Sequence, residues 1–190
     1  LLLETNDPKW PAFTFKYFTS DDLRHWKQVP KALYGTNKYV GGPALYHEGG
    51  TYYTLYLESL GGGRYETRIT RSKDLIHWSE QRWIKVMGHE PNAQNCWAPE
   101  IYYDEPTKQY LIFWSTTIPG RFPESDGTGD GQNNHRMYYV TSKDMEEFSK
   151  TRLLYDPGFN SIDGTLLKQG GHYLMFLKDE TKRPVARKNI

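Results

Sequence analysis

The sequence has little of several features that mark common classes of protein. Its single cysteine, Cys96, excludes an internal disulfide and leaves the cellular compartment open. Its apolar runs are too short for a membrane-spanning helix. No charged-then-apolar leader opens it, so we expect that any secretion signal has been removed or was never present. The 24 Lys and Arg nearly balance the 23 Asp and Glu, so the charge predicts neither a nucleic-acid nor a membrane partner.

Aromatic residues, by contrast, are abundant. They make up 15% of the 190 residues, with 15 Tyr and 6 Trp, although the mean hydropathy is only −0.80. Polar chains rich in these side chains suit sheets whose aromatic faces pack together, and they also suit sugar-binding surfaces. The length is sufficient for one domain with a core, and helical periodicity is nearly absent. The sequence therefore predicts an all-β domain.

A repeated turn motif organises the sequence. It reads "SDDLRHW" at 20–26, "SKDLIHW" at 72–78 and "SKDMEEF" at 142–148, and each copy follows an alternating, strand-like run. The aspartate in the third position is predicted to cap the turn through backbone N–H groups. The apolar residue after it and the final aromatic residue are predicted to wedge between neighbouring sheets. We therefore assign a structural role to these aspartates, Asp22, Asp74 and Asp144.

The spacing of the repeats predicts the architecture. Repeats of about 40–50 residues that each hold four short strands are typical of a β-propeller. We predict four-stranded antiparallel blades, with a partial blade at 1–40, full blades at 41–88 and 89–156, and a partial blade at 157–190. Because two to three blades do not close a ring, we expect either a fragment or self-association with another copy.

Several of these motifs resemble glycoside hydrolase family 43. The likeness lies in "SKDLIHW", "NCWAPEIYYD" (95–104), "FWSTTIPGRFP" (113–123), "NHRMYY" (134–139) and "SIDGTLLKQGGHYLMFLKDE" (161–180). The resemblance implies a five-bladed propeller that hydrolyses arabinose- or xylose-containing polysaccharides or oligosaccharides by inverting acid/base chemistry. It also implies a carbohydrate substrate as the partner.

The resemblance also implies site residues. Enzymes of this kind place three carboxylates on inner strands around a central cavity. Asp163 falls on the third-blade aspartate that orients the general acid and tunes its pKa. Glu100, in "WAPEI", begins another inner strand, and the resemblance gives it a part in substrate recognition or in the scaffold.

Five further residues are candidates for contacts with substrate. Trp97 and Trp114 could stack on a sugar face, although packing between blades is the commoner role of such residues. A Gly/Asp/Asn-rich stretch, "PGRFPESDGTGDGQNN" (119–134), is predicted to form a long surface loop. Arg121, His135 and Arg136 flank it and could hydrogen-bond sugar hydroxyls, and His135 could instead help to hold a central cation.

The other two carboxylates of the catalytic set are not evident. Gly42, in "YVGGPALYHEGG", stands where the resemblance implies the aspartate base. Asp7 precedes a proline, yet it is too close to the first turn motif to open a full blade. The glutamate acid would follow Asp163 by several tens of residues, beyond Ile190. We therefore expect that this chain alone lacks the full catalytic set and is inactive.

Two alternatives remain open at this point. One is a carbohydrate-binding propeller without catalysis, which Gly42 favours. The other is a family 32-like enzyme that cleaves fructan or sucrose, of whose base motif "NDPKW" is a weak echo. We expect no required cofactor, apart from a structural calcium in the central channel as one option. The resemblance favours a secreted or periplasmic protein, although the sequence leaves the location unknown.

Overall fold

The computed structural model describes residues 2–5, 13–30, 35–36, 40–61, 64–129 and 132–181. This part of the chain is built from β-strands, with one short 3₁₀ helix at Pro123–Ser125. The strands are β1 (Leu2–Thr5), β2 (Phe13–Lys16), β3 (Phe18–Thr19), β4 (Lys27–Gln28), β5 (Gly35–Thr36), β6 (Val40–Glu48), β7 (Thr51–Gly61), β8 (Arg64–Ser72), β9 (Arg82–Ile84), β10 (Trp97–Asp104), β11 (Gln109–Thr117), β12 (His135–Ser142), β13 (Arg152–Tyr155), β14 (Ser161–Gln169) and β15 (His172–Asp179).

Two four-stranded sheets dominate the structure. One has the order β6-β7-β8-β9 and the other the order β10-β11-β12-β13, and every pairing within them is antiparallel. Neighbours along the chain are neighbours in the sheet, as is usual for consecutive strands. The predicted all-β class and four-stranded antiparallel blades are confirmed. The predicted blade boundaries stay a prediction, although β6 begins only one residue before residue 41.

Smaller sheets lie on either side of these two in chain order. β14 and β15 form an antiparallel pair, and β1, β2 and β5 form a three-stranded sheet beside the short pair of β3 and β4. The last residues of the predicted partial blade at 157–190 lie outside the described residues, as does Asp7.

The main core fills the space between the two four-stranded sheets. Its largest fully buried side chain is the indole of Trp114, and Leu55, Ile112 and Met145 are buried with it. The inner strands β6 and β10 pack directly against each other, and β14 packs against β10. The first strand of each successive sheet therefore lies next to the first strand of the sheet before it, as in a propeller.

The repeated turns have the predicted capping. The Asp74 carboxylate accepts hydrogen bonds from the backbone N–H groups of Ile76 (2.9 Å) and His77 (2.7 Å). Asp22 and Asp144 accept the equivalent bonds in their own turns. In each turn the residue after the capping aspartate has a left-handed backbone conformation. Its φ is 62° at Leu23, 64° at Leu75 and 61° at Met145.

An apolar groove lies between the second four-stranded sheet and the pair β14–β15. Its volume is about 740 Å³, and its walls include Tyr102, Tyr155, Phe159 and Met175. Beside it, β15 exposes large apolar side chains, with Phe176 59% and Tyr173 52% accessible. No third strand pairs with β15 among the described residues.

Candidate functional site

The three inner strands carry the same irregularity near their first residues. The register of β6 shifts between Gly41 and Ala44, that of β10 between Trp97 and Glu100, and that of β14 between Ile162 and Thr165. Such a bulge puts an extra residue into one strand and turns its side chain away from the regular alternation. In each strand the residue at the bulge has a positive φ: 53° at Gly42, 47° at Ala98 and 54° at Asp163.

A positive φ is unusual for residues other than glycine. It costs roughly 1–2 kcal/mol for most L-residues, although aspartate adopts it more readily than most because its short side chain can bond locally. Residues held in this conformation are frequent at functional sites, since the surrounding structure must support the strain. The repeated bulge therefore singles out the same position in three strands.

These three positions converge on one depression. Its volume is about 240 Å³, and every lining residue comes from the bulge region of an inner strand: Gly42, Pro43, Ala98, Pro99, Glu100, Asp163, Gly164 and Thr165. The structure thus brings together two of the predicted site residues, Asp163 and Glu100. Both residues line a single cavity although they are far apart in the sequence.

Asp163 lines this depression and is exposed to solvent. Within the described part of the chain it accepts no side-chain hydrogen bond, and the charged group that interacts with it is the ammonium of Lys178 on the paired strand β15. The pKa of Lys178 is raised mainly by its hydrogen bond to Glu180, with Asp163 as a smaller cause. The oxygens of Asp163 are therefore left open to a bound group.

Glu100 differs in its environment. It is half-buried, and burial raises the pKa of its carboxyl above the usual range, against a smaller lowering by the backbone N–H of Ile101. Among the described residues no Lys, Arg or His side chain forms an ion pair with Glu100. A carboxyl without a cationic partner in a partly dry site holds its proton to higher pH than a solvated one does.

One aromatic candidate lies beside the depression. Trp97 immediately precedes Ala98, is half-buried, and packs on the imidazole of His135 with ring centroids 4.7 Å apart. His135 itself is buried, with 1% of its surface accessible.

Comparison with known families bears directly on this geometry. Residues 45–189 match the profile of a family related to glycoside hydrolase family 43 and described as a "probable glycosyl hydrolase domain". The match covers well over half of the sequence. The chain belongs to this family.

Individual relatives agree with this assignment. An α-L-arabinofuranosidase of Bifidobacterium longum subsp. longum is 30% identical over 155 residues, covering 70% of this chain and 14% of that protein. This glycosyl hydrolase domain thus spans a small part of that relative's length.

Solved structures share the fold of the domain. The α-L-arabinanase of Penicillium chrysogenum complexed with arabinobiose has a TM-score of 0.62 at 14% identity, over 90% of this chain and 50% of that one. The xylan β-1,4-xylosidase of Bacillus halodurans has a TM-score of 0.62 at 14% identity, over 94% and 34%. At such identities the likeness shows the fold alone, that of the family 43 propellers.

Two predicted contact residues of the glycosyl hydrolase domain lie in its interior. Trp114 has no accessible surface, and its indole N–H donates to Thr116 Oγ1 at 2.9 Å. Its ring therefore has no face to offer a sugar, which corrects the placement inferred from sequence. The physical reason is that β11 is buried on both faces over Ile112–Thr117, so that alternation does not bring Trp114 to a surface.

Arg136 is also fully buried, which corrects its predicted place at the cavity. Its guanidinium pairs with Asp156, donates to Asn134 Oδ1 at 2.9 Å and to Ser125 Oγ at 2.6 Å, and lies over the ring of Phe122. It therefore holds the 119–134 loop to the sheet rather than facing a ligand.

Arg121 remains partly exposed, but it is not among the residues that line the depression. Its guanidinium pairs with the Glu90 carboxylate at 2.8 Å. A contact between Arg121 and substrate stays a prediction.

The metal prediction has no support from clustered side chains. In the described ranges no group of three or more His, Cys, Asp and Glu side chains is arranged to hold a metal ion. Both ring nitrogens of His135 are engaged by amides of Asn95 and Asn160. The calcium in the central channel stays a prediction, and so does the cellular location. The same part of the chain contains no helix long and apolar enough to cross a membrane.

Asn95 and Asn160 were missed by the sequence analysis. Both are buried, at 4% and 1% accessible. A signal for them was present, because each lies three residues before a bulge position, in "NCWA" and "NSID". Aligning the repeats on the inner strands rather than on the turn motif would have found it.

Proposed function

We propose that this domain binds arabinose- or xylose-containing oligosaccharides in the depression formed by β6, β10 and β14, and contributes to hydrolysis of a glycosidic bond there. The observation that carries the proposal is the convergence of the exposed Asp163 and the half-buried Glu100 on one cavity. A strained bulge presents the first carboxylate without a fixed partner, as a site for a bound group requires.

Each carboxylate has a distinct role in this proposal. Asp163 orients the general acid and, as a negative charge beside it, raises the pKa of that acid so that a proton is available near neutral pH. Glu100, half-buried and without a cationic partner among the described residues, contributes a hydrogen bond to a sugar hydroxyl. Inverting hydrolysis needs the acid and base carboxyls roughly 6.5–9.5 Å apart, with a water between the base and the sugar.

The position equivalent to Asp163 on β6 is Gly42, which has no carboxylate to act as base. A Cβ built there would lie 3.2 Å from the Cα of Ala98 and 3.3 Å from Cδ of Pro99. The close approach of β10 therefore explains why a glycine stands at this point. The three bulge positions therefore supply no candidate for the base, and no described residue is assigned as the general acid.

A second candidate function is carbohydrate binding without catalysis. Gly42 favours it, because a site without a base binds sugar but does not activate water. A family 32-like activity finds no supporting feature in the depression, and its weak motif includes Asp7, outside the described residues.

An activated substrate separates these two functions in the 190-residue chain itself. A 2,4-dinitrophenyl arabinofuranoside or xyloside has a leaving group that needs no general acid, and azide can attack the anomeric carbon without a base. If the depression stabilises the transition state, azide accelerates dinitrophenolate release and a glycosyl azide accumulates. Glu100→Gln lowers this rate, whereas Asp163→Asn changes it little, because the reaction does not use the acid that Asp163 orients. With ordinary aryl glycosides and no azide, we expect a rate no faster than buffer.

Three outcomes are informative. Oligosaccharide binding without any azide product would favour the binding module. No binding of either sugar class would overturn the proposal. Turnover of ordinary aryl glycosides that disappears in Asp163→Asn would show that a competent acid and base already exist among these residues.

A further inference from the structure

A buried polar network joins the two strands that carry the candidate carboxylates. Asn95 lies two residues before β10, Asn160 lies immediately before β14, and His135 is the first residue of β12. All three side chains are almost inaccessible to solvent. His135 lies between the two amides, so that one imidazole contacts the approach to both inner strands.

The hydrogen bonds define a single tautomer of this imidazole. Asn160 Oδ1 already accepts the backbone N–H of His135 at 2.7 Å, and the same oxygen lies 3.1 Å from His135 Nδ1, which must therefore carry the proton. On the other side, Asn95 Oδ1 accepts the backbone N–H of Thr117 at 3.0 Å. That bond turns the Asn95 NH₂ group toward His135 Nε2, 3.0 Å away, which accepts as an unprotonated nitrogen.

The network continues to the edge of the depression on both sides. His135 supports the Trp97 ring, which immediately precedes Ala98 in the depression wall. Asn160 is three residues before Asp163. Its amide also packs against Gly129 of the 119–134 loop, where a Cβ would lie 2.2 Å from Asn160 Nδ2. A shift of the imidazole would therefore move the beginnings of β10 and β14 relative to each other.

We propose that His135, held as the neutral Nδ1–H tautomer between Asn95 and Asn160, is a positioning residue that sets the separation of Glu100 and Asp163 and the orientation of Trp97. The effect of His135 on sugar binding rests on the proposed function. The geometry of the hydrogen bonds does not depend on it. This positioning role replaces the direct contact with sugar or cation that the sequence suggested for His135. The ring has no free nitrogen for either ligand, and it acts through the residues that it holds.

Two variants of His135 each keep one of the two side-chain hydrogen bonds of the imidazole and remove the other. His135→Asn keeps a donor near Nδ1 for Asn160 and loses the acceptor for Asn95, whereas His135→Gln keeps an acceptor near Nε2 and loses the donor. Both remove the ring that supports Trp97. His172→Gln, at an exposed histidine on β15, is the matched control.

The first measurement is the ¹⁵N spectrum of the imidazole in the 190-residue chain. We expect a protonated Nδ1 and an unprotonated Nε2 from pH 5 to 8, whereas a solvated histidine titrates near pH 6.5. In Asn95→Asp, a carboxylate replaces the NH₂ donor, so Nε2 should become protonated and the ring should be charged at pH 7. An Nε2–H tautomer in the unaltered chain, or ordinary titration, would overturn the assignment.

The second measurement tests positioning without any ligand. In folded His135→Gln and His135→Asn, the amide resonances of Glu100 and Asp163 should shift and their hydrogen exchange should accelerate, while those of Leu75 stay unchanged. Unchanged resonances at both carboxylates would contradict positioning by His135. If both variants fail to fold, the same readout in Asn95→Asp decides the question.

The third measurement links the network to sugar. Binding of arabino- or xylo-oligosaccharides, followed by tryptophan fluorescence, should weaken about tenfold in both His135 variants, roughly the worth of one lost hydrogen bond. It should be unchanged in His172→Gln. If the unaltered chain binds neither sugar, the proposed function fails, and the two spectroscopic readouts still decide the inference. If it binds and the His135 variants bind equally well, the inference fails alone.

Discussion

The first and second copies of the turn motif have the same local structure and opposite surroundings. Asp22 and Asp74 cap their turns with the same bonds, and Leu23 and Leu75 share a positive φ. Leu75 is nevertheless 7% accessible, whereas Leu23 is 79% accessible. The turn therefore forms from its own sequence, while burial of its apolar residue depends on a neighbouring sheet.

The aromatic residues of the two motifs repeat this contrast. Trp78 stacks on Tyr17, with ring centroids 5.2 Å apart, so it packs against the structure that precedes its sheet. Trp26 is 56% accessible. The prediction that these residues wedge between sheets is confirmed for Trp78 and wrong for Trp26 in the described structure, because no described sheet covers the first turn.

The largest expected effect concerns the apolar residue of the turn. Leu75→Ala should destabilise the domain by about 2–5 kcal/mol, as buried leucines do when truncated to alanine. Leu23→Ala should change stability by less than about 0.5 kcal/mol, because the side chain is already in water. Urea unfolding followed by circular dichroism measures both. A large cost at Leu23 would show that this turn is covered in solution.

The next largest effect concerns self-association through the exposed apolar side chains of β15. We predict that the isolated chain self-associates through this surface, because a strand edge that no described strand covers, beside exposed aromatic residues, favours pairing with another copy. Phe176→Lys should shift light scattering toward the monomer. His172→Lys adds the same charge near the end of the same strand and should leave the molecular mass unchanged. A monomeric unaltered chain would contradict the prediction.

The two tryptophans should differ by a smaller amount. Trp78→Leu loses the stacking on Tyr17 beyond simple area burial, a contribution of about 0.5–1.5 kcal/mol, whereas Trp26→Leu should be nearly neutral. Acrylamide should quench Trp26 more strongly than Trp78 in single-tryptophan backgrounds. Equal quenching would remove the distinction between a covered and an uncovered turn.

The smallest difference should lie in the pH dependence of the turns. The backbone N–H and side chain of His25 hold the pKa of Asp22 well below its usual range, and those of His77 do the same for Asp74. Because the folded pKa is depressed, this stabilisation is present above the ordinary aspartate pKa of about 3.9 and is lost as the pH falls below it. Asp22→Asn and Asp74→Asn should reduce acid sensitivity equally, as measured by unfolding between pH 2 and 7. Unequal effects would show that capping depends on coverage.

The sequence was sufficient for the fold because its evidence was local and repeated. Alternating strands and three copies of one turn predicted antiparallel four-stranded sheets, whereas the place of Asp163 at a cavity was implied by the family resemblance of "SIDGTLLKQGGHYLMFLKDE". The placement of Trp114 and Arg136 was not predictable from alternation. The run His135–Tyr138 is buried at every residue, so its orientation depends on contacts with the loop and with the next sheet. The Asn95–His135–Asn160 network was not predicted from the sequence, because its members lie at three separate strand ends.

The repeated bulge has a consequence for how chemistry is acquired. The three bulges form three sockets of the same backbone shape around one space, and two of them hold a residue other than glycine at a positive φ. Where a socket accepts a side chain, one substitution can add or remove a functional group beside the depression. The sockets are unequal, since Ala98 already has a Cβ whereas one at Gly42 would press on β10. To place a carboxylate at a second bulge position, the substitution to make first is therefore Ala98→Asp.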